Sequence, residues 1–79
     1  MWEEKNGKLY KKFEFQNIVQ AFSFLTQVAF LAEKHNHHPE IFNVYNKVEL
    51  YLCTHDAGDA ITDKDTKLAK LIDQIKLSV

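Results

Sequence analysis

Seventy-nine residues bound the chain to one domain, expected to span residues 1–79, and a chain this short is marginal alone, so oligomerisation is an expected support. Apolar residues make up 46% of it, which excludes a disordered chain, and a net charge of −1 without a basic run excludes a phosphate-binding face and hence direct nucleic-acid binding. No apolar run approaches the ~20 residues of a membrane span, the charged opening Trp2-Glu3-Glu4-Lys5 is unlike a secretion signal, and the lone Cys53 excludes an internal disulfide. These features fit a reducing, intracellular setting.

Asn6-Gly7 predicts a type I′ hairpin turn, because both central residues of that turn take positive φ. Trp2 is expected on the first strand, the partner of the second. On the second, Leu9, Lys11, Phe13 and Phe15 share one parity and Tyr10, Lys12 and Glu14 the other, which places Phe13 and Phe15 on the covered face. Asn17 predicts the N-cap of a helix running to about His35. Ile18, Phe22, Leu25, Ala29 and Ala32 form one stripe on it, and Ala21, Phe24, Val28 and Leu31 form a second. Together they exceed the ~100° arc that one sheet covers. The surplus is either deep core or a contact between subunits, and the shortage of other material to bury it favours the subunit contact.

Glu33-Lys34-His35-Asn36-His37-His38-Pro39-Glu40 holds three of the four histidines. An imidazole titrates near pH ~6.5 and can give or take a proton at neutral pH. Pro39 pushes His38 to an extended backbone, so the side chains of His37 and His38 are expected to diverge. Strands are predicted over 41–45 and 48–55, with the turn near Asn46-Lys47. That hairpin returns its end to its start and brings His55 close to His37 and His38. A loop follows over 56–61. Thr62 then predicts an N-cap with Asp65 at the third helical position, ahead of a stripe of Leu68, Leu71, Ile72, Ile75 and Val79. The order strand, strand, helix, strand, strand, helix implies an α+β fold: a four-stranded antiparallel sheet with the helices packed on one face.

Glu33-x-x-x-His37-His38-Pro39, Tyr45, His55 and Asp65, with Phe42-Asn43-Val44-Tyr45-Asn46-Lys47-Val48, Thr54-His55 and Phe22-Ser23-Phe24 around them, resemble the signature of the pterin-4a-carbinolamine dehydratases, also known as dimerisation cofactors of a homeodomain transcription factor. The similarity runs from Trp2 to Ile75. It implies dehydration of 4a-hydroxytetrahydrobiopterin to quinonoid dihydrobiopterin, in tetrahydrobiopterin recycling, with no cofactor. His37, His38 and His55 match the family's active-site imidazoles, and Asp65 and Glu33 match family carboxylates. His38 and His55 are the expected proton-transfer pair, with His37 binding or assisting. The resemblance further implies that the backbone of Cys53, Thr54, His55 and Asp56 meets the pterin edge and that the Asn36 region contributes on the other side. The side chain of Cys53 itself reads as packing, and His35 matches no family position.

The chain departs from the family pattern in three places. The family's N-terminal helix has no counterpart before Trp2, Ile41 stands where Trp is common, and the loop from His55 to Asp65 is about one residue longer by hand alignment. The rival reading as a zinc site would use His35, His37, His38 and His55, but no His-x-x-x-His pair or cysteine pair is present, so no metal is expected. The alternative in a different class is a non-enzymatic dimerisation cofactor or transcriptional coactivator that binds its partner through the helix over 17–35. A homodimer or homotetramer is expected, in the cytoplasm and, for a coactivator, also the nucleus.

Overall fold

The computed structural model describes residues 1–77. Asn6 and Gly7 take φ of 54° and 78°, as a type I′ turn requires, and join β1 (Glu3–Lys5) to β2 (Lys8–Glu14). Asn17 accepts a hydrogen bond from the Gln20 N–H and starts α1 (Ile18–His35). Then come β3 (Glu40–Val44), β4 (Lys47–Leu52), a short 3₁₀ turn over His55–Ala57, and α2 (Asp63–Asp73). The sheet is antiparallel in the order β1-β2-β4-β3, with both helices on one face. This is the α+β sandwich that the element order implies. No helix is long and apolar enough to cross a membrane among the described residues.

Pairing of Leu9 with Leu52, Lys11 with Leu50 and Phe13 with Val48 sets one face of the sheet under the helices. Val48, Leu50 and Leu52 are fully buried there, against Ala21, Phe24 and Val28 of α1 and Leu68, Ala69 and Ile72 of α2. The rings of Phe13 and Phe15 stack on Phe24, with centroids 4.6 and 5.0 Å away. Lys11 shares the parity of these aromatics, yet keeps its charge solvated by pairing with Asp73 at 2.8 Å beside the rings of Trp2 and Phe13.

On α1 the stripe led by Ala21, Phe24 and Val28, joined by Ala32, is the one that meets the sheet. The stripe of Ile18, Phe22 and Ala29 faces outward, with Phe22 54% exposed, and Phe30 beside it is 71% exposed.

Two boundaries differ from the sequence reading. The β3–β4 turn is Tyr45-Asn46, not Asn46-Lys47, because Val44 pairs with Lys47 and Tyr45 takes the positive φ of 53°. The Asn43 side-chain amide donates to the carbonyls of Tyr45 and Lys47 and supports this turn. The last strand also ends at Leu52 rather than His55. Strand alternation stops there, so Cys53 and Thr54 are both buried instead of facing opposite ways. The expected α2 stripe holds for Leu68 and Ile72, while Ile75 lies beyond the helix end and Val79 lies outside the described residues.

Leu50→Ala removes a fully buried side chain at the junction of sheet and helices. It is expected to lower unfolding free energy by about 2–5 kcal/mol in urea denaturation. Ile41→Ala, at a half-exposed edge-strand position, should change it by less than about 0.5 kcal/mol.

Candidate active site

Helix α1 ends on Asn36, which takes φ 49° and ψ 45°. The Asn36 N–H bonds the Glu33 carbonyl at 3.3 Å and the His37 N–H bonds the Ala32 carbonyl at 3.0 Å. That is a Schellman ending, with asparagine in the left-handed position usually held by glycine. The chain reverses here, and the next residues reach opposite sides. His37 Nε2 lies 2.5 Å from Asp65 Oδ1, whereas His38 Nε2 lies 2.5 Å from Glu33 Oε2. The divergence expected from Pro39 is present. Pairing of Glu40 with Tyr51 sets the start of β3 beside the end of β4, and the segment after β4 carries His55 to the same region.

Asp65 is the buried centre of the arrangement, with no exposed surface. Its Oδ2 accepts from the Thr62 N–H at 2.8 Å and from the Thr54 hydroxyl at 2.9 Å, and its Oδ1 faces His37. Thr62 completes a capping box, so the carboxylate serves α2 and the imidazole together. Burial alone pushes this carboxyl up, but the hydrogen bonds from His37, the Thr62 backbone and Thr54 outweigh it and hold the pKa below the usual carboxylate value.

His55 presents Nδ1 to Asp59 Oδ1 at 2.7 Å, a pairing between two exposed side chains. A carboxylate can only accept, so each imidazole donates through the nitrogen that faces its acid. His37 and His38 therefore carry N–H at Nε2, and His55 carries it at Nδ1. Each ring keeps its second nitrogen for other work.

An open cavity of about 210 Å³ is lined by Asn36, His37, His38, Thr54, His55, Asp56 and Lys64. It gathers the three matched histidines with Asn36, Thr54 and Asp56. Asp65 and Glu33 stand behind His37 and His38. Cys53 is buried beside this cavity rather than on its wall, and burial raises its thiol pKa. The Thr54 backbone is engaged internally: its N–H bonds Ala60 at 2.8 Å and its carbonyl accepts from Ala57. His35 is exposed and lines a different hollow with Lys64 and Lys67.

Two contributors were missed in the sequence. Asp59 falls in the loop predicted over 56–61, and its signal is its place as an acid four residues after His55. Lys64 had no signal beyond its place in the first turn of α2. Among the described residues, the set that brings ligand-type atoms within 4.8 Å of one another is Cys53, His55 and Asp59, not the four histidines weighed for zinc.

The sequence profile described as Pterin 4 alpha carbinolamine dehydratase matches residues 1–75. The chain belongs to that family. A Rhizobium meliloti protein provisionally named pterin-4-alpha-carbinolamine dehydratase is 56% identical over 71 residues, which covers 90% of this chain and 67% of the relative. A Prochlorococcus marinus protein with the same provisional name is 52% identical over 75 residues, covering 95% of this chain and 77% of the relative. The crystal structure of a transcriptional coactivator/pterin dehydratase from Brucella melitensis superposes with TM-score 0.84 at 38% identity, over 91% of this chain and 78% of that one. A pterin dehydratase-like protein identified as a RuBisCO assembly factor in the alpha-carboxysome shares the fold, with TM-score 0.74 at 24% identity over 92% of this chain and 83% of that one.

Asp65→Asn tests the buried carboxylate. A folded pKa below the unfolded value means that ionised Asp65 stabilises the fold above the ordinary carboxylate pKa of ~3.9, and that this contribution is lost as pH falls through the lowered folded value. The variant should be less stable than the parent by about 2 kcal/mol at pH 7. The gap should narrow steadily below pH ~4. Denaturant titrations at a series of pH values read both.

Proposed function

We propose that this protein dehydrates 4a-hydroxytetrahydrobiopterin to quinonoid dihydrobiopterin and water by histidine acid–base catalysis. The observation that carries the reading is the convergence of His37, His38 and His55 on one cavity, each ring held by its own carboxylate. Family membership and the names of the relatives support it.

The reaction breaks the bond from C4a to its hydroxyl oxygen and forms a C=N bond to the neighbouring ring nitrogen. One group must protonate the departing hydroxyl so that it leaves as water. Another must accept the proton from the ring nitrogen. Imidazoles suit both tasks near neutral pH, and positioned acid–base groups of this kind contribute typically ~10²–10⁴-fold. His38 and His55 are the transfer pair. Both are exposed, and both lean on exposed acids that leave them free to exchange protons with solvent between turnovers. His37 is largely covered and tied to the fully buried Asp65, so it binds and orients. Glu33 and Asp65 fix the tautomers of the rings they hold. The backbone of Cys53, His55 and Asp56 faces the polar edge of the pterin, and Asn36 lines the other side of the cavity.

A second reading concerns assembly. Ile18, Val19, Phe22 and Phe30 expose apolar surface along α1. We infer that this face joins copies of the chain into a homodimer or homotetramer, and that a helical transcription-factor partner would compete for it, as the coactivator description of the Brucella melitensis protein supports. The site and this face lie on different parts of α1, so a cytoplasmic dehydratase and a nuclear coactivator are compatible roles.

His38→Ala should reduce the rate of 4a-hydroxytetrahydropterin dehydration by about 10²-fold or more, measured spectroscopically, while the sedimentation coefficient stays that of the parent. Phe22→Glu should do the reverse and shift sedimentation toward the monomer. Turnover by His38→Ala at the parental rate would overturn the assignment of that ring.

A further inference from the structure

We propose that Cys53, His55 and Asp59 form a binding site for a thiophilic divalent cation of the zinc or cobalt(II) type. One ligand-type atom from each lies within 4.8 Å of the others. The fold creates the set in three steps. Strand β4 ends at Leu52, which turns Cys53 inward to 5% exposure. The Thr54 N–H bond to the Ala60 carbonyl then closes the loop at its base. Gly58 and Asp59, at φ of 74° and 59°, fold the loop back so that Asp59 meets His55. Aspartate is among the few non-glycine residues that take this left-handed conformation readily.

The donor types select the ion. Thiolate sulfur, imidazole nitrogen and carboxylate oxygen are the common ligands of zinc, whereas calcium and magnesium take oxygen. Zinc bonds of ~2.0–2.3 Å in a tetrahedron set ligand atoms roughly 3.5 Å apart. The Nδ1–Oδ1 pair at 2.7 Å would open slightly as the ion inserts, and both groups would close toward the buried sulfur. Both adjustments fall on His55 and Asp59, which are exposed and free to rotate. The thiol proton and the Nδ1 proton leave to solvent as the metal takes their places. The Lys8 ammonium, which also acts on Cys53, is already paired with Glu40 at 2.8 Å and does not oppose the ion with an uncompensated charge. Three protein ligands leave a fourth position to water.

The site shares His55 with the cavity above, so an ion there would remove one ring from proton transfer. That consequence rests on the proposed dehydration, but occupancy does not. The test is therefore a titration with cobalt(II), followed by its visible absorption and by the near-ultraviolet band of a cobalt–thiolate bond. The parent should bind one equivalent with a tetrahedral spectrum and a thiolate band. Asp59→Asn and His55→Ala, both at exposed positions, should weaken binding by more than about tenfold, the least expected even for residues outside the ligand shell. His35→Ala should bind as the parent does. A spectrum that stays that of the aqueous ion, or equal affinity in parent and Asp59→Asn, would overturn the site. Inhibition of dehydration by zinc is measured separately, so loss of the enzymatic reading would leave the cobalt result standing.

Discussion

The carboxylate of Asp65 is the constraint on which the rest depends. A buried, ionised oxygen pair is tolerated only when its lone pairs are filled. Here the Thr62 N–H, the Thr54 hydroxyl and His37 fill them. Those three groups come from the start of α2, the segment after β4 and the segment after α1. One side chain thus sets the mutual position of three chain segments that no strand pairing connects. The Thr54–Thr62 hydroxyl contact at 2.6 Å closes the same junction from the other side. Loss of the charge would release a helix cap, a loop and a ring together.

The hydrophobic core explains why that junction lies at one end of the sheet. Val48, Leu50 and Leu52 of the inner strand β4 carry the helices, and β4 then runs out of sheet just where Cys53 and Thr54 turn inward. Apolar burial fixes the elements, but it cannot orient imidazoles, because it has no direction. Orientation comes from hydrogen bonds at the element ends: the Schellman ending at Asn36, the capping box at Thr62 and the 3₁₀ turn after Thr54. Rigid elements thereby hold the histidines at their ends, where the backbone is free to turn and solvent can reach.

Much of this was legible in the chain because the signals were local. Asn6-Gly7 names its turn, Asn17 and Thr62 name their caps, and alternation along Val48, Leu50 and Leu52 names the covered face. The resemblance marks both His37 and Asp65, but their partnership was not legible, since 28 residues separate them. Periodicity on α1 gave two stripes but not their facing, because both stripes are apolar and periodicity alone ranks neither. The strand end at Leu52 was not legible either. Alternation in Tyr51, Cys53 and His55 continues past the last pairing, and only the bond from Thr54 to Ala60 shows that the ladder has stopped. That early stop buries Cys53 and brings Asp59 to His55.

The three imidazoles differ in a way that their common residue type hides. His37 faces an acid with no exposed surface, while His38 and His55 face acids with 79% and 64% side-chain exposure. An ion pair in water contributes little and is easily exchanged, whereas a charge-assisted bond to a buried carboxylate is held firmly. Firm holding suits a ring that must define where a substrate sits. Loose holding suits rings that must take a proton and then give it up within one turnover. In the proposed dehydration the same sequence pattern of a histidine with an acid nearby would serve two purposes, and the difference is the water around the acid rather than the distance between the partners.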